Sequence, residues 1–254
     1  MSTTKTLFIT GVSSGFGKAL AAQALAAGHK VIGTLRDQKA IESFEAQAPG
    51  RAHGVLLDVT EFAAIDSVVN DVETAFGPVD VLVNNAGMVR PSLVTKTDVR
   101  VWEEHLKVNL TGAFLCSLKV LPGMTSRGRG RIINVAGTYG LRGEAYMAAY
   151  CASKAGLIGF TKALAAEVGH QGVTVNAVCP GYVESPLMDV AIQNIAERSE
   201  TPREQIEARL KGRSPQGRVF TADEVAESIT FLAGDGAVGI NGLALVIDGG
   251  ELAM

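Results

Sequence analysis

A glycine-rich turn between an apolar strand and a helix limits the fold of this chain more than any other feature. The run Thr6–Ile9 has the length and apolarity of a buried strand. The alanine- and leucine-rich stretch Lys18–Ala27 strongly favours helix, and Gly28 ends it. Between them lie Thr10, Gly11, Val12, Ser13, Ser14, Gly15, Phe16 and Gly17. A glycine-rich turn in this position is typical of a dinucleotide-binding unit.

Each glycine of this turn has a physical use. Gly11 allows the tight turn, Gly15 lets a pyrophosphate approach the backbone, and Gly17 lets the helix pack closely on the strand. The first turn of the helix offers unpaired N–H groups and a favourable dipole to an anion. We therefore predict that the turn, with Ser13, Ser14 and Phe16, holds the phosphates of a cofactor; the alternative is a merely flexible glycine loop.

Strand-like and helix-like segments alternate along the rest of the chain. Further strands are expected at 29–35, 54–57, 79–83, 131–136, 173–178 and 242–247. Helices are expected at 18–27, 41–48, 60–76, 98–127, 150–169 and 221–233. This alternation predicts an α/β fold, with a parallel seven-stranded sheet covered by helices on both faces. No linker or internal repeat divides residues 1–254, so we expect a single domain.

Composition narrows the class of protein. The chain has 254 residues, of which 47% are hydrophobic and 19% charged, and its net charge of −3 gives no indication of nucleic-acid binding. Its apolar runs are shorter than the roughly 20 residues of a membrane span, and the N-terminus lacks signal-peptide features, so we expect a cytoplasmic protein that is not bound to membranes. The three scattered cysteines indicate no disulfide framework, and the four histidines show no metal-ligand spacing.

The segment Tyr150-Cys151-Ala152-Ser153-Lys154 opens one of the expected helices. Tyr150 and Lys154 are four residues apart and therefore lie on one helix face. A nearby ammonium favours a phenolate, and a tyrosine whose pKa is so lowered can exchange a proton with an alcohol oxygen. The pair is a candidate acid/base site, although this spacing alone also occurs in ordinary surface pairs.

The end of the second strand bears on the choice of cofactor. An acidic residue there would bind the adenosine ribose of NAD, whereas an arginine accommodates the 2′-phosphate of NADP. Arg36 follows Leu35 directly, and Asp37 comes one residue later. We favour NADP(H), with the alternative that Arg36 and Asp37 are solvated turn residues.

These markers together resemble the short-chain dehydrogenases/reductases of about 250 residues, over essentially the whole chain. The residues that carry the resemblance are the glycine-rich turn, Asn84-Asn85-Ala86-Gly87, Asn109, Tyr150 to Lys154, and Pro180-Gly181. The resemblance implies a Rossmann-type sheet, a nicotinamide cofactor, hydride transfer to a small-molecule carbonyl or from an alcohol, and a homotetramer or homodimer.

The resemblance also implies roles for individual residues. Tyr150 would be the general acid/base, Lys154 would lower its pKa and bind the nicotinamide ribose, and Asn109 would hold a water linking Lys154 to solvent. From the sequence alone, Asn109 could equally form a local hydrogen bond within its helix. The residues implied to line the cofactor are Asp58 and Val59 at the adenine, Asn84, Ala86 and Gly87 along its length, and Pro180, Gly181, the Val183 backbone and the Ser185 hydroxyl near the carboxamide.

One position departs from the family. A serine that hydrogen-bonds the substrate oxygen is expected 13 residues before the tyrosine, and this chain has Gly137 there. Loss of such a donor typically lowers the rate by about 10²–10³. Thr138 is the candidate replacement if Gly137 lets the backbone turn, and Tyr146 is a second candidate. The alternative is a dinucleotide-binding protein that senses its cofactor but has lost turnover.

The segment 185–218 is expected to form a lid over the substrate. From Cys179 onward the chain resembles both 3-hydroxybutyrate dehydrogenases and aromatic-polyketide ketoreductases, which suggests a β-oxo or β-hydroxy acyl substrate. Apolar lid residues are Leu187, Met188, Val190, Ile192 and Ile195, and basic ones are Arg198, Arg203, Arg209, Lys211 and Arg213. The basic residues could bind a carboxylate or coenzyme A, or could form a solvated helix face.

Overall fold

A single seven-stranded sheet forms the centre of the computed structural model, which describes residues 4–185, 188–189, 192–193, 196 and 201–253. The strands are β1 (Thr6–Ile9), β2 (Lys30–Leu35), β3 (Ala52–Leu56), β4 (Val81–Asn84), β5 (Gly130–Val135), β6 (Val173–Pro180) and β7 (Ala244–Ile247). They are all parallel, in the order β3-β2-β1-β4-β5-β6-β7. The predicted α/β, Rossmann-type sheet of seven strands is confirmed.

Helices cover both faces of this sheet. They are α1 (Gly15–Ala26), α2 (Gln38–Glu45), α3 (Phe62–Phe76), α4 (Val99–Leu106), α5 (Gly112–Ser126), α6 (Ala148–Val168), α7 (Arg203–Lys211) and α8 (Ala222–Ala233). One core cluster joins α1, α2 and α8 to one face, and a second joins α3, α5 and α6 to the other. Phe8 belongs to the second cluster and Ile9 to the first, because successive strand side chains point to opposite faces. Among the described helices, none is long and apolar enough to cross a membrane.

The strand order reverses beside β1. The chain runs outward from β1 to β2 and β3, then returns to add β4 on the other side of β1. The connections that leave β1 and β4 therefore diverge, and they leave a crevice at the carboxyl ends of these two strands. The backbone N–H of Thr10 donates to the carbonyl of Val83 at 3.0 Å, so the glycine-rich turn begins at this crevice.

The helix predicted at 98–127 is not a single α-helix. A π-helical turn at Lys107–Thr111 separates α4 from α5. The predicted helix is present without a gap over 99–126, but its π turn was not predicted, because a π turn inserts one residue into an otherwise regular pattern that sequence periodicity does not reveal. Such turns are frequent at functional sites, and this one carries Asn109.

Two helices begin near the substrate end of the chain. The helix α7 begins directly after Pro202, and a capping box at Thr221 and Glu224 starts α8, in agreement with the helix expected at 221–233. Leu187, Val190, Ile195 and Arg198 of the predicted lid lie outside the described residues. The single domain and the lid at 185–218 stay predictions.

Candidate active site

The glycine-rich turn leaves no room for side chains where it meets α1. A Cβ atom on Gly17 would lie 2.2 Å from the carbonyl oxygen of Gly11 and 2.5 Å from the Asn85 amide nitrogen. Gly11 adopts φ +75°, and Gly15 adopts φ +56° with open space on the side where a Cβ atom would lie. The turn is therefore tightly packed where Gly17 meets Gly11 and Asn85, and it is open at Gly15, where a phosphate group can approach.

The start of α1 is available to an anion. Ser14 occupies the N-cap position with extended backbone, and its side chain makes no capping hydrogen bond. The side chains of Ser13 and Ser14 are exposed beside the first-turn N–H groups. Phe16 packs against the core cluster below α1 and anchors the turn. Exposed hydroxyls, unpaired N–H groups and a helix dipole together suit the pyrophosphate of a dinucleotide.

Asn85, to which the sequence assigned no individual role, ties the turn to β4. Its side-chain nitrogen donates to the carbonyl oxygens of Thr10 and Gly11 at 2.9 and 2.8 Å. The Thr10 hydroxyl accepts in return from the backbone N–H groups of Asn85 and Ala86, both at 3.0 Å. An amide directly after a strand that adjoins the glycine turn was the available signal for this role.

Asn84 points the other way. Its side-chain nitrogen donates to the Ser117 hydroxyl at 3.1 Å and to the Asn134 side-chain oxygen at 2.8 Å, in the buried core. The difference between Asn84 and Asn85 follows from the alternation of side chains along a strand. The Asn84 side chain is therefore directed into the core. A contact of its backbone with a cofactor stays a prediction.

The segments after β2 and β3 each contain an engaged carboxylate, and an exposed cation follows β2. Arg36 is exposed directly after β2. Asp37 caps α2, and its carboxylate accepts from the Lys39 backbone N–H at 3.0 Å. After β3, Asp58 accepts from the backbone and hydroxyl of Thr60 at 2.9 and 2.8 Å, and Val59 is buried beside it. Arg36 thus presents an exposed cation at the end of β2, while the N-cap of α2 orients the carboxylate of Asp37.

Tyr150 and Lys154 lie one turn apart in the first turns of α6, and their electrostatics differ from the prediction. Lys154 is buried and its ammonium donates to the carbonyl oxygen of Val135 at 2.7 Å, while lying 5.8 Å from the centroid of the Tyr150 ring. Burial raises the pKa of Tyr150 to about 12 and lowers the pKa of Lys154 to about 8. The net shift of the Tyr150 pKa is upward because desolvation by burial dominates it, and the lowering contribution expected from Lys154 stays a prediction.

Asn109 sits beside this pair because of the π turn. Its side-chain oxygen accepts from the Met88 N–H at 2.8 Å, and its nitrogen donates to the Met88 carbonyl and the Ser153 hydroxyl, both at 3.0 Å. A Cβ atom on Gly87 would lie 3.3 Å from the Asn109 side-chain oxygen and 3.5 Å from the Lys154 nitrogen. Asn109, Lys154 and Gly87 thus converge, whereas the bridging water stays a prediction.

Ser153 is a further site residue that the sequence stretch contained but that was given no role. Its hydroxyl accepts from Asn109 and donates to the backbone carbonyl of Tyr150 at 2.8 Å. The residue is fully buried. Ser153 therefore couples the π turn to the first turn of α6, which carries Tyr150.

Gly137 has a conformation that serine rarely adopts. Its backbone lies at φ +95° and ψ 160°, and a Cβ atom there would point at the reacting group, 3.8 Å from the Tyr150 hydroxyl. Non-glycine residues in this region carry about 1–3 kcal/mol of strain. The expected turn is present, since a 3₁₀ turn runs from Thr138 to Gly140 with the Thr138 side chain buried. Whether the Thr138 hydroxyl serves the reaction stays a prediction.

The sequence did not single out Tyr139, which lies next to Tyr150, or Tyr182, which contacts Tyr139. The Tyr139 ring meets the Tyr150 ring edge to face, with centroids 6.0 Å apart, and the Tyr139 hydroxyl is hydrogen-bonded to that of Tyr182. The Tyr182 hydroxyl accepts from Arg213 at 3.0 Å. These residues come from three distant segments, and no local pattern could have grouped them.

In the loop after β6, no backbone hydrogen bond to another described residue engages Val183. Phe220 exchanges backbone hydrogen bonds with Tyr182 and Glu184, at 2.9 and 2.8 Å, so the polar groups of Val183 between them point to the opposite side. The Ser185 hydroxyl accepts from the Met188 N–H at 3.2 Å and keeps its own hydrogen for another acceptor. Pro180 and Gly181 continue the strand, and the Gly181 N–H bonds to Ile247 at 3.0 Å.

Two of the basic lid residues are engaged in ion pairs. Arg203 bonds Asp189 and Glu207, both at 2.6 Å. Arg213 bonds Glu144 at 2.6 Å and Glu251 at 2.7 Å. For Arg203 and Arg213 the structure favours a structural role over binding of a substrate anion.

The buried ammonium predicts a pH-dependent stability. The pKa of Lys154 is lowered on folding from 10.5 to about 8, so the unfolded chain binds more protons between these values and stability rises with pH there. We expect Lys154→Met to be more stable than the natural protein at pH 7, by about 2 kcal/mol after loss of the Val135 hydrogen bond. The gain should shrink by pH 10, as measured by denaturant unfolding.

Lys162→Met, an exposed change on the same helix, is the control and should show no such trend. A Lys154→Met protein that is less stable at pH 7, or equally shifted at both pH values, would contradict the desolvation argument.

Known proteins share both the sequence and the fold of this chain. Residues 5–196 match the family model described as short chain dehydrogenase. The 3-oxoacyl-[acyl-carrier-protein] reductase FabG of Escherichia coli strain K12 is 37% identical over 246 residues, which cover 97% of this chain and 96% of the reductase. The monensin polyketide synthase putative ketoacyl reductase of Streptomyces virginiae is 39% identical over 254 residues, covering 98% of this chain and 97% of the relative.

Solved structures give the same result. A variant of actinorhodin polyketide ketoreductase with NADPH superimposes with a TM-score of 0.93 at 36% identity, covering 99% of both chains. ElxO with NADP bound gives a TM-score of 0.89 at 29% identity, covering 99% of this chain and 100% of the other. With the glycine turn, the Tyr150–Lys154 pair and the seven-stranded sheet all in place, this chain belongs to the short-chain dehydrogenase/reductase family and is an NAD(P)-dependent oxidoreductase.

Proposed function

We propose that the protein transfers a hydride between NADP(H) and a carbonyl or secondary alcohol, and that its substrate is a β-oxo acyl compound that it reduces. The observation that carries the proposal is the convergence of Tyr150 with the buried Lys154 and Asn109 at the carboxyl edge of the sheet, beside the glycine turn. The 3-oxoacyl and polyketide reductases among its relatives support the substrate class. The structures named with NADP and NADPH support the cofactor.

In this proposal Tyr150 is the acid. With a pKa of about 12 it stays protonated at neutral pH and can donate its proton to the ketone oxygen as the cofactor delivers hydride to the carbon. Lys154, charged below about pH 8, favours the phenolate that remains and is close enough to Gly87 to bind a ribose in the crevice. Asn109 and Ser153 hold the first turn of α6 in place.

The cofactor-binding residues proposed are those of the crevice. The turn from Gly11 to Gly17 takes the pyrophosphate, and Arg36 takes the 2′-phosphate. Asp58 and Val59 border the adenine, and Asn84 and Ala86 contribute backbone along the crevice. Pro180, Gly181, Val183 and Ser185 border the carboxamide, because among the described residues no backbone hydrogen bond engages Val183 and no acceptor engages the Ser185 hydroxyl hydrogen. Thr138 is proposed to donate to the reacting oxygen from the turn after Gly137.

The test of the reaction is NADPH oxidation with a β-oxo ester, ethyl 3-oxobutanoate, and a plain ketone, pentan-2-one. We expect turnover by the natural protein and a loss of at least about 10²-fold in Tyr150→Phe, because the acid is removed while the ring and its packing remain. Binding of NADPH by the variant should be retained, as measured by fluorescence titration.

A second reading follows from Gly137, namely a protein that binds the cofactor without turnover. Tight NADPH binding with no oxidation of NADPH by any carbonyl tested would favour this reading and overturn the first. Gly137→Ser would be an imperfect rescue of such a protein, because the glycine conformation strains serine although its Cβ points at Tyr150.

The choice of cofactor depends on Arg36. We expect Arg36→Leu to raise the KM for NADPH roughly 10- to 100-fold, because a charged hydrogen bond to the 2′-phosphate is lost, and to leave the KM for NADH almost unchanged. Arg36→Lys keeps the charge and should fall between the two. Equal effects on NADPH and NADH would show that Arg36 is a solvated turn residue.

A homotetramer is proposed from two separate apolar faces. On α4 and α5, Trp102, Phe114 and Leu118 are 39%, 42% and 47% exposed. At the edge strand β7 and the neighbouring α8, Val246 and Phe231 are 38% and 54% exposed. Apolar faces of this kind mark interfaces, and two self-complementary faces give a closed tetramer. A homodimer is the alternative, and the cytoplasmic location stays a prediction.

Light scattering after size-exclusion chromatography tests the assembly. We expect four chains for the natural protein and two for either Leu118→Glu or Val246→Glu, since each variant puts a charge into one interface. Lys119→Glu on the same helix is a charge-changing control that lies beside the first face. A natural protein that elutes as a monomer would refute the proposal.

A further inference from the structure

Within the part of the chain that the structure describes, the hydroxyls of Tyr139 and Tyr182 together carry one more donor hydrogen than they use. Each phenol supplies one hydrogen, and their mutual hydrogen bond consumes one of the two. Arg213, which can only donate, adds a third donor to the Tyr182 oxygen at 3.0 Å. Among the described residues no other acceptor bonds to either hydroxyl, so whichever tyrosine donates, one phenolic hydrogen is left over.

The pair is held in a fixed position. The Arg213 guanidinium lies 5.3 Å from the Tyr182 ring centroid, and Arg142 lies 5.8 Å from that of Tyr139. Both arginines bond the buried carboxylate of Glu251, at 2.7 and 2.6 Å. Glu144 bonds Arg213 at 2.6 Å and Arg142 at 3.5 Å. Two arginines and two glutamates thus form a neutral frame behind the tyrosines.

This frame determines what the pair can bind. Because the arginine charges are matched by carboxylates, the frame offers no net charge to an anionic group. The guanidinium still polarises the Tyr182 hydroxyl, and a hydrogen bond in a chain strengthens its neighbour. The pair therefore presents a neutral, polarised O–H donor, which suits an uncharged carbonyl oxygen.

The Tyr139–Tyr182 pair lies beside Tyr150, which it contacts through the Tyr139 ring. The Tyr139 ring meets the Tyr150 ring edge to face, with centroids 6.0 Å apart, and both Tyr139 and Tyr182 are only partly buried. The Tyr139 ring therefore packs directly against the residue that we assign to the reacting oxygen.

We propose that the leftover hydroxyl of the Tyr139–Tyr182 pair binds the acyl carbonyl oxygen of a β-oxo acyl substrate while Tyr150 binds the reacting ketone. This inference rests on the proposed function and adds a specificity site to it. Arg213 is then a positioning residue, which acts on the substrate only through Tyr182. A ketone without the second oxygen gains nothing from the pair.

The test compares ethyl 3-oxobutanoate with pentan-2-one in the same variants. In Tyr139→Phe/Tyr182→Phe we expect the KM for the β-oxo ester to rise on the order of tenfold with little change in kcat, because one hydrogen bond to bound substrate is lost. The KM and kcat for pentan-2-one should not change. Arg213→Gln should show a smaller rise for the ester alone, whereas Arg209→Gln, an exposed change on α7, should show none.

The outcomes distinguish a failure of the proposed function from a failure of the specificity site alone. Natural protein that reduces neither compound while binding NADPH refutes the proposed function. If the natural protein reduces both compounds, the double variant Tyr139→Phe/Tyr182→Phe decides the matter. A double variant that loses neither activity, or loses both equally, refutes the specificity site alone. The phenylalanine variants keep the ring packing, so they remain informative if Arg213→Gln does not fold. Thr138→Val should lower kcat/KM for both compounds alike, because its proposed partner is the oxygen that they share.

Discussion

The arrangement of the site depends on a lysine ammonium that is buried against the end of a strand. Lys154 can be placed there only because the carbonyl of Val135, at the end of β5, accepts its hydrogen bond. Gly87 lines the space beside it, since a Cβ atom there would lie 3.5 Å from the ammonium nitrogen, an ordinary contact distance. Burial of a charge is unfavourable, and the lowered pKa of Lys154 is the measure of that cost. The fold maintains this position with the sheet on one side and the π turn on the other.

The same desolvation explains the behaviour of Tyr150. The sequence shows two groups one helical turn apart, and from spacing alone their attraction should dominate. The protein surrounds both, and the loss of water raises the pKa of the phenol while lowering that of the ammonium. A phenol that stays protonated across the physiological range holds the proton that the reduction of a ketone consumes.

The sheet, its strand order and the glycine turn were predictable because they follow from local patterns and from general rules on parallel connections. The period-two alternation could also have separated Asn84 from Asn85, since it directs one amide to the core and the other to the turn. The π turn at Asn109 was not predictable, because the extra residue is stabilised by contacts with Met88 and Ser153 that lie far away in sequence. The contacts among Tyr139, Tyr182 and Arg213 were likewise not predictable, because these residues lie far apart in the sequence.

The serine expected at position 137 is absent, and the conformation of Gly137 determines how the following residues are placed. The glycine conformation turns the chain so that Thr138 is buried and the ring of Tyr139 lies against Tyr150. A serine in this conformation would be strained, so the backbone conformation at position 137 favours glycine over serine. Residues 139 and 182 meet because the turn after β5 and the loop after β6 leave neighbouring strands of one sheet. The neutral Arg–Glu frame behind them leaves hydrogen bonding, and not charge, as the means by which this wall of the site distinguishes substrates.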